Sequence, residues 1–260
     1  MQQQTAPVND ISLLIKESTV MSYQADNQGR LSLSNLCNLL QEIAWNHANI
    51  LGVGYEHLLK DNRFWVLIRM YVEIYAYPLW KDAISIRTWP KGAEAFMALR
   101  DFKVFGRDGS LAAAASSGWL ILEKENKRPV RLDEFRKRVS LREGEHALEK
   151  KLLKIEMPQG ETIAEQRHTV AYSDIDVNNH VNNAKYVEWI MDAWYGLGAE
   201  QPAVAGIELN FLSEAFLGEE VSIKLCRNAG GDSFYAQVFR GNPDSGSGEI
   251  IRARFSVSGS

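Results

Sequence analysis

The densest run of reactive side chains lies between Tyr172 and Ile190, where Asp174, Asp176, Asn178 and His180 fall at alternate positions. In an extended segment alternate side chains share one face, so two carboxylates, an amide and an imidazole are expected to line up there. Directly afterwards the periodicity changes: Ala184, Val187, Ile190, Met191 and Trp194 recur at helical spacing. Asn182 or Asn183 can cap that helix by accepting from an orphan N–H of its first turn. The positive end of the helix dipole then points at the polar cluster. Such a set suits a reaction in which a carbonyl oxygen gains negative charge. Asp, Asn and His ahead of a helix are also ordinary turn and cap residues, so the chemistry needs support from elsewhere in the chain.

The elements that must hold this cluster recur twice. Residues 11–23 read as a strand and Gln28-Gly29-Arg30 as a turn. A long helix follows over 32–52, with Leu36, Leu39, Leu40, Ile43, Ala44, Ala48 and Leu51 as its apolar stripe. Strand-like runs occupy 64–75, 83–89, 96–104 and 112–122, the last two joined by the turn 106–110. A charged connector covers roughly 123–165. A second strand is expected over 169–173, the second helix over 183–195, and strands over 203–215, 219–227, 233–240 and 249–257, with turns at 229–232 and 241–248. Ala83-Ile-Ser-Ile and Glu220-Val-Ser-Ile fall at matching places, which marks an internal duplication. The first half has Ala25-Asp-Asn-Gln-Gly-Arg where the second has its Asp-x-Asn-x-His, so one active site is expected.

Composition narrows the class. Hydrophobic residues make up 45% and charged residues 24% of 260, which fits a globular protein with a full core. A net charge of −4 argues against nucleic-acid binding, which calls for a basic surface. No apolar run is long enough to span a bilayer, and Met1 to Asp10 lacks the basic-then-apolar order of a secretory signal. Cys37 and Cys226 are isolated, which suits a reducing compartment, and Cys and His show no zinc spacing. The expectation is a cytoplasmic protein with no metal and no cofactor.

The motif Asp176-x-Asn178-x-His180-Val-Asn-Asn-x-x-Tyr186-x-x-Trp189 resembles the signature of the acyl-acyl carrier protein (acyl-ACP) thioesterases. Trp65-x-x-x-Arg69-Met70, Tyr77-Pro78-x-Trp80-x-Asp82, Ala115-Ser116-Ser117-x-Trp119 and the Gln41, Glu42, Asn46, His47 set of the first helix are similar to the same family. The resemblance covers most of the chain. It implies an α+β fold, a tandem double hotdog, in which two antiparallel sheets each wrap a long central helix. The expected division is 1–140 for the N-terminal hotdog with the acyl-chain pocket, 141–165 for the connector and 166–260 for the C-terminal hotdog with the catalytic residues.

It also implies a fourth site residue, Glu214, read here as an interruption of an apolar strand. The plant members follow that Glu with a Cys; this chain has Ala215, which counts against a Cys-based mechanism. Asp176 or Glu214 would serve as or orient the base, Asn178 and His180 would hold the carbonyl or the water, and N–H groups opening the second helix would stabilise the oxyanion. The implied partner is acyl carrier protein with a phosphopantetheine-linked acyl chain, and a basic surface at Arg136, Lys137 and Arg138 is a candidate dock. No nucleic acid and no membrane span are expected, and a homodimer is left open. Rival readings are an acyl-CoA thioesterase of the same fold, a hotdog 3-hydroxyacyl thioester dehydratase and a non-catalytic acyl binder.

Overall fold

The computed structural model describes residues 10–157, 160–198, 201–228, 233–241 and 248–258. In chain order the elements are β1 (Leu14–Thr19), a 3₁₀ turn (Ser22–Gln24), α1 (Leu33–Ile50), α2 (Tyr55–Lys60), β2 (Arg63–Ile74), β3 (Ala83–Glu94), β4 (Met97–Gly106), β5 (Leu111–Glu123) and α3 (Asp133–Arg138). The second half follows as β6 (Gly160–Thr169), a 3₁₀ turn (Tyr172–Asp174), α4 (Asn183–Tyr195), β7 (Val204–Phe211), β8 (Glu220–Asn228), β9 (Ser233–Arg240) and β10 (Glu249–Val257). Apart from the short α2 and α3, which the sequence pattern did not predict, the second half repeats the first.

The expectation of two sheets is corrected. Among the described residues, all ten strands belong to one antiparallel sheet in the order β1-β3-β4-β5-β2-β7-β10-β9-β8-β6. The two halves meet at β2 and β7, paired from Arg69↔Asn210 to Glu73↔Gly206. An unpaired strand edge leaves a row of N–H and C=O groups open; each half closes the other's inner edge. The core is shared as well. Leu36, Leu40 and Ile43 of α1, Val187, Ile190 and Trp194 of α4, and Val72, Phe102, Leu209 and Ile251 of the sheet form one cluster.

Two boundaries move. β6 begins at Gly160, inside the expected connector, and ends at Thr169, where the expected strand was to begin; 170–173 is not a strand. β6 is the sheet's outer edge, pairs only with β8, and has no buried residue. Its sequence is therefore polar and reads like the connector before it. The connector itself is strapped down rather than loosely solvated. Leu148 packs on Tyr71 and Ala114, and Ile155 on Cys226 and Tyr235. These residues alternate with core residues along their strands, so the strap crosses the sheet face opposite the helices. Asn210 Oδ1 accepts from the Ile155 N–H at 2.7 Å, and Arg252 donates to the Ile155 carbonyl at 3.1 Å. The turn expected at 229–232, and most of that expected at 241–248, lie outside the described residues.

Candidate active site

The polar motif does not run extended. After the 3₁₀ turn Tyr172–Asp174 the chain folds back, with Ile175 bridged to Val181. The Asp176 N–H donates to the His180 carbonyl at 2.9 Å and the Asn179 N–H to the Asp176 carbonyl at 3.0 Å. Asn179 holds the tip with φ 62°, a left-handed conformation that Asn tolerates better than most residues. The four side chains consequently separate. Asp174 turns inward, is buried, and lies 2.9 Å from His168 Nε2 while accepting from the Ala171 N–H. His168, at the end of β6, thus clamps that strand to this turn.

The other three stay at the surface with Glu214. Asp176 accepts from the Asn178 N–H at 2.8 Å and from the Asn178 side-chain amide at 3.3 Å. His180 Nδ1 lies 3.4 Å from Glu214 Oε1, and both side chains are partly buried. The Phe216 ring meets the imidazole edge-on, with centroids 5.1 Å apart. Glu214 is not on a strand as expected; it follows the end of β7, where the Val181 N–H donates to the Ala215 carbonyl at 3.0 Å and sews this loop to the turn. The buried Tyr186 hydroxyl accepts from the Ala215 N–H at 3.1 Å. So the predicted residues form two pairs, Asp176–Asn178 and His180–Glu214, on one short turn and its neighbouring loop.

The helix start is a weaker oxyanion candidate than expected. Asn182 accepts from the Ala184 N–H at 3.0 Å through its side chain and from the Lys185 N–H at 2.8 Å through its carbonyl. Those donors are already engaged. Among the described residues no group of three or more His, Cys, Asp and Glu side chains converges to hold a metal ion.

The first half carries the same turn without the same chemistry. The Asp26 N–H donates to the Arg30 carbonyl at 2.8 Å, Gly29 takes the left-handed place of Asn179 with φ 75°, and the Leu31 N–H donates to the Pro78 carbonyl. Arg30 therefore corresponds to His180, and Tyr77 to Glu214. Arg30 pairs with Asp26 at 2.8 Å and stacks over the Tyr77 ring at 5.1 Å. A guanidinium stays protonated and cannot accept a proton, so of these two equivalent positions only that of His180 carries a proton acceptor.

Between α1 and α4, over β2 and β7, runs a closed apolar seam lined by Cys37, Leu67, Met70, Val187, Leu209 and Phe211, with no room for even one water molecule. Gln41 and Asn183 form its polar lip and are joined across the helices at 2.9 Å; Asn182 reaches Asn38 at 3.2 Å. A larger surface hollow beside Glu17, Arg87 and Phe105 sits on the outer strands β1, β3 and β4, away from this turn.

Two family models match the sequence in tandem, the acyl-ACP thioesterase N-terminal domain over residues 14–139 and the acyl-ACP thioesterase C-terminal domain over 158–248. The chain belongs to the acyl-ACP thioesterase family. It is 30% identical over 219 residues to the chloroplastic palmitoyl-acyl carrier protein thioesterase of Gossypium hirsutum, covering 79% of this chain and 52% of that protein. It is also 30% identical over 192 residues to oleoyl-acyl carrier protein thioesterase 2 of Arabidopsis thaliana, covering 67% and 52%. The chain thus spans about half the length of these curated relatives. Among solved structures, an acyl-ACP thioesterase from Bacteroides thetaiotaomicron superimposes with a TM-score of 0.82 at 25% identity, covering 94% of this chain and 97% of the other. The 12:0-ACP thioesterase from Umbellularia californica shares the fold with a TM-score of 0.78 at 24% identity, covering 94% and 96%. Membership in the acyl-ACP thioesterase family accounts for the α+β architecture with its single large antiparallel sheet.

Proposed function

We propose that this chain hydrolyses the thioester joining a fatty acyl chain to acyl carrier protein, releasing the free fatty acid and ending elongation. Family membership and the activities named for its relatives support the substrate class. The observation that carries the mechanism is the His180–Glu214 pair, three residues before the α4 residues that line the apolar seam. In this reading each half is a hotdog and the two are fused through β2 and β7, with 1–140 and, once β6 is included, 160–260 as the working units. The acyl chain enters the seam between α1 and α4, on the side of the first half. A pocket for a drug-sized ligand has a volume of roughly 300–1,000 Å³, so the helices must part to admit it.

Glu214 accepts from His180 Nδ1–H and fixes the tautomer, which leaves Nε2 to take a proton from the attacking water. Bonds of this kind are often long in free enzymes and shorten around substrate. Asp176 holds the Asn178 amide, whose second N–H is left for the carbonyl oxygen as it gains charge. The leaving thiolate needs little assistance, because a thiol ionises near pH 8.5, roughly.

Mass spectrometry of free fatty acids released from purified acyl-ACP tests the reading. Wild type should release them; His180→Ala should lower kcat by about 100-fold or more, the scale expected for losing an acid–base group, and Asp176→Ala by about 100-fold, the scale of a lost oxyanion donor. Wild-type protein that releases no thiol from acyl-ACP would overturn it.

A further inference from the structure

We infer that Lys127, contributed by the first half, is a positioning residue for Glu214 and completes the second half's site. The inference rests on the reading of His180 and Glu214 as catalytic.

The two oxygens of the Glu214 carboxylate face different partners. Oε1 is 3.4 Å from His180 Nδ1, and Oε2 is 3.6 Å from Lys127 Nζ. The Glu214 carbonyl is taken by Arg240 at 2.6 Å, which fixes the backbone and leaves the side chain to be held at its tip. A Glu side chain with one partner can swing into water; with a cation on the second oxygen, the first stays turned to the imidazole. Lys127 is itself aimed. Its ammonium sits 4.9 Å over the Phe64 ring, a cation–π contact that limits its sweep. Its backbone adopts φ 57°, an uncommon conformation for a non-glycine residue. The turn is held by the Lys127 N–H donating to the Glu123 carbonyl at 2.9 Å and by the Asn126 side chain, which donates to Glu123 and accepts from the Arg128 N–H. A residue kept in a costly conformation at the rim of a site points to a role there.

The pair is half exposed, with Lys127 at 55% and Glu214 at 35%, so its contribution to stability is small and its effect falls on geometry. Steady-state kinetics on acyl-ACP with Lys127→Met, Lys127→Arg, Glu214→Gln and the Lys127→Met/Glu214→Gln pair test this. Lys127→Met should lower kcat about 5- to 20-fold with KM within about twofold. Lys127→Arg should restore most of the loss, and Lys127→Met should cost nothing further in the Glu214→Gln background, because the two act through one contact. Additive losses, or a Lys127→Met enzyme at the wild-type rate while Glu214→Gln is impaired, would overturn the inference alone. A wild-type enzyme unaffected by Glu214→Gln would remove the catalytic reading beneath it.

Discussion

His180 and Arg30 occupy the same point of a duplicated turn, and under the proposed mechanism their chemistry decides which half works. An imidazole can accept a proton near neutral pH and a guanidinium cannot. Sequence alone exposes this difference, because the Asp-x-Asn-x-His pattern stands in one half only. What sequence hides is the pairing: Asp174 has the motif's spacing yet is buried against His168, whereas Glu214, 34 positions after His180, completes the cluster. Lys127 is harder still to see, since it stands among many cations in a charged stretch and only the folded chain brings its ammonium to Glu214. The cysteines can be judged by burial. Cys37 is enclosed in the core, and burial pushes its thiol up to about 12; Cys226 is buried in β8. Cys37 lines the apolar seam beside Asn183 rather than the turn itself, and the thiolate is the reactive form. Hydrolysis should therefore survive treatment with iodoacetamide at neutral pH, measured as at least about 80% residual activity, since alkylation requires an exposed thiolate. Rapid inactivation protected by substrate would show that a cysteine takes part.

The helices were legible because their apolar stripes are long and regular. α1 buries Leu36, Leu40 and Ile43, and α4 buries Val187, Ile190 and Trp194, as their periodicity predicts. Inner strands were legible for the same reason. β6 was not, because an edge strand with no fully buried residue has too little alternation to read. The α4 cap was narrowed to two candidates, and the structure selects Asn182. This one side chain accepts from Ala184 N–H and donates to Asn38 on α1, so it both starts α4 and ties it to its counterpart. Asn182→Ala should destabilise the protein by about 1–2 kcal/mol, the usual range for losing a side-chain cap, read from the urea midpoint. It should also lower kcat, because the turn bearing His180 ends at this residue. Unchanged unfolding would mean that packing alone holds the start of α4.

At the scale of the molecule, a shared sheet and a shared core make the halves one cooperative body, so a buried polar cluster far from the turn affects the stability of all of it. His47 of α1 is fully buried. Arg100 can only donate, so its 2.9 Å contact makes His47 Nδ1 the acceptor, and Nε2–H donates to the Ile11 carbonyl at 2.8 Å. The ring is neutral when folded. Burial first, then the Arg100 guanidinium, hold it down at about 4, against a smaller opposing pull from the Ile11 carbonyl and Asp10. In the unfolded chain the same ring takes up its proton near pH 6.5, roughly. Between these values the unfolded state binds more protons, so stability falls as pH drops from about 6.5 toward 4. The full difference is about 3 kcal/mol, at roughly 1.4 kcal/mol for each unit. Urea unfolding at pH 7 and pH 4.5, on wild type and His47→Gln, isolates this group because the remaining carboxylates titrate in both proteins. The wild type should lose about 2–3 kcal/mol more than the variant over that interval, by the same linkage. Equal losses would mean that His47 is protonated in the folded protein, and Arg100 would then have to turn away from it toward Thr88, its other partner at 3.2 Å.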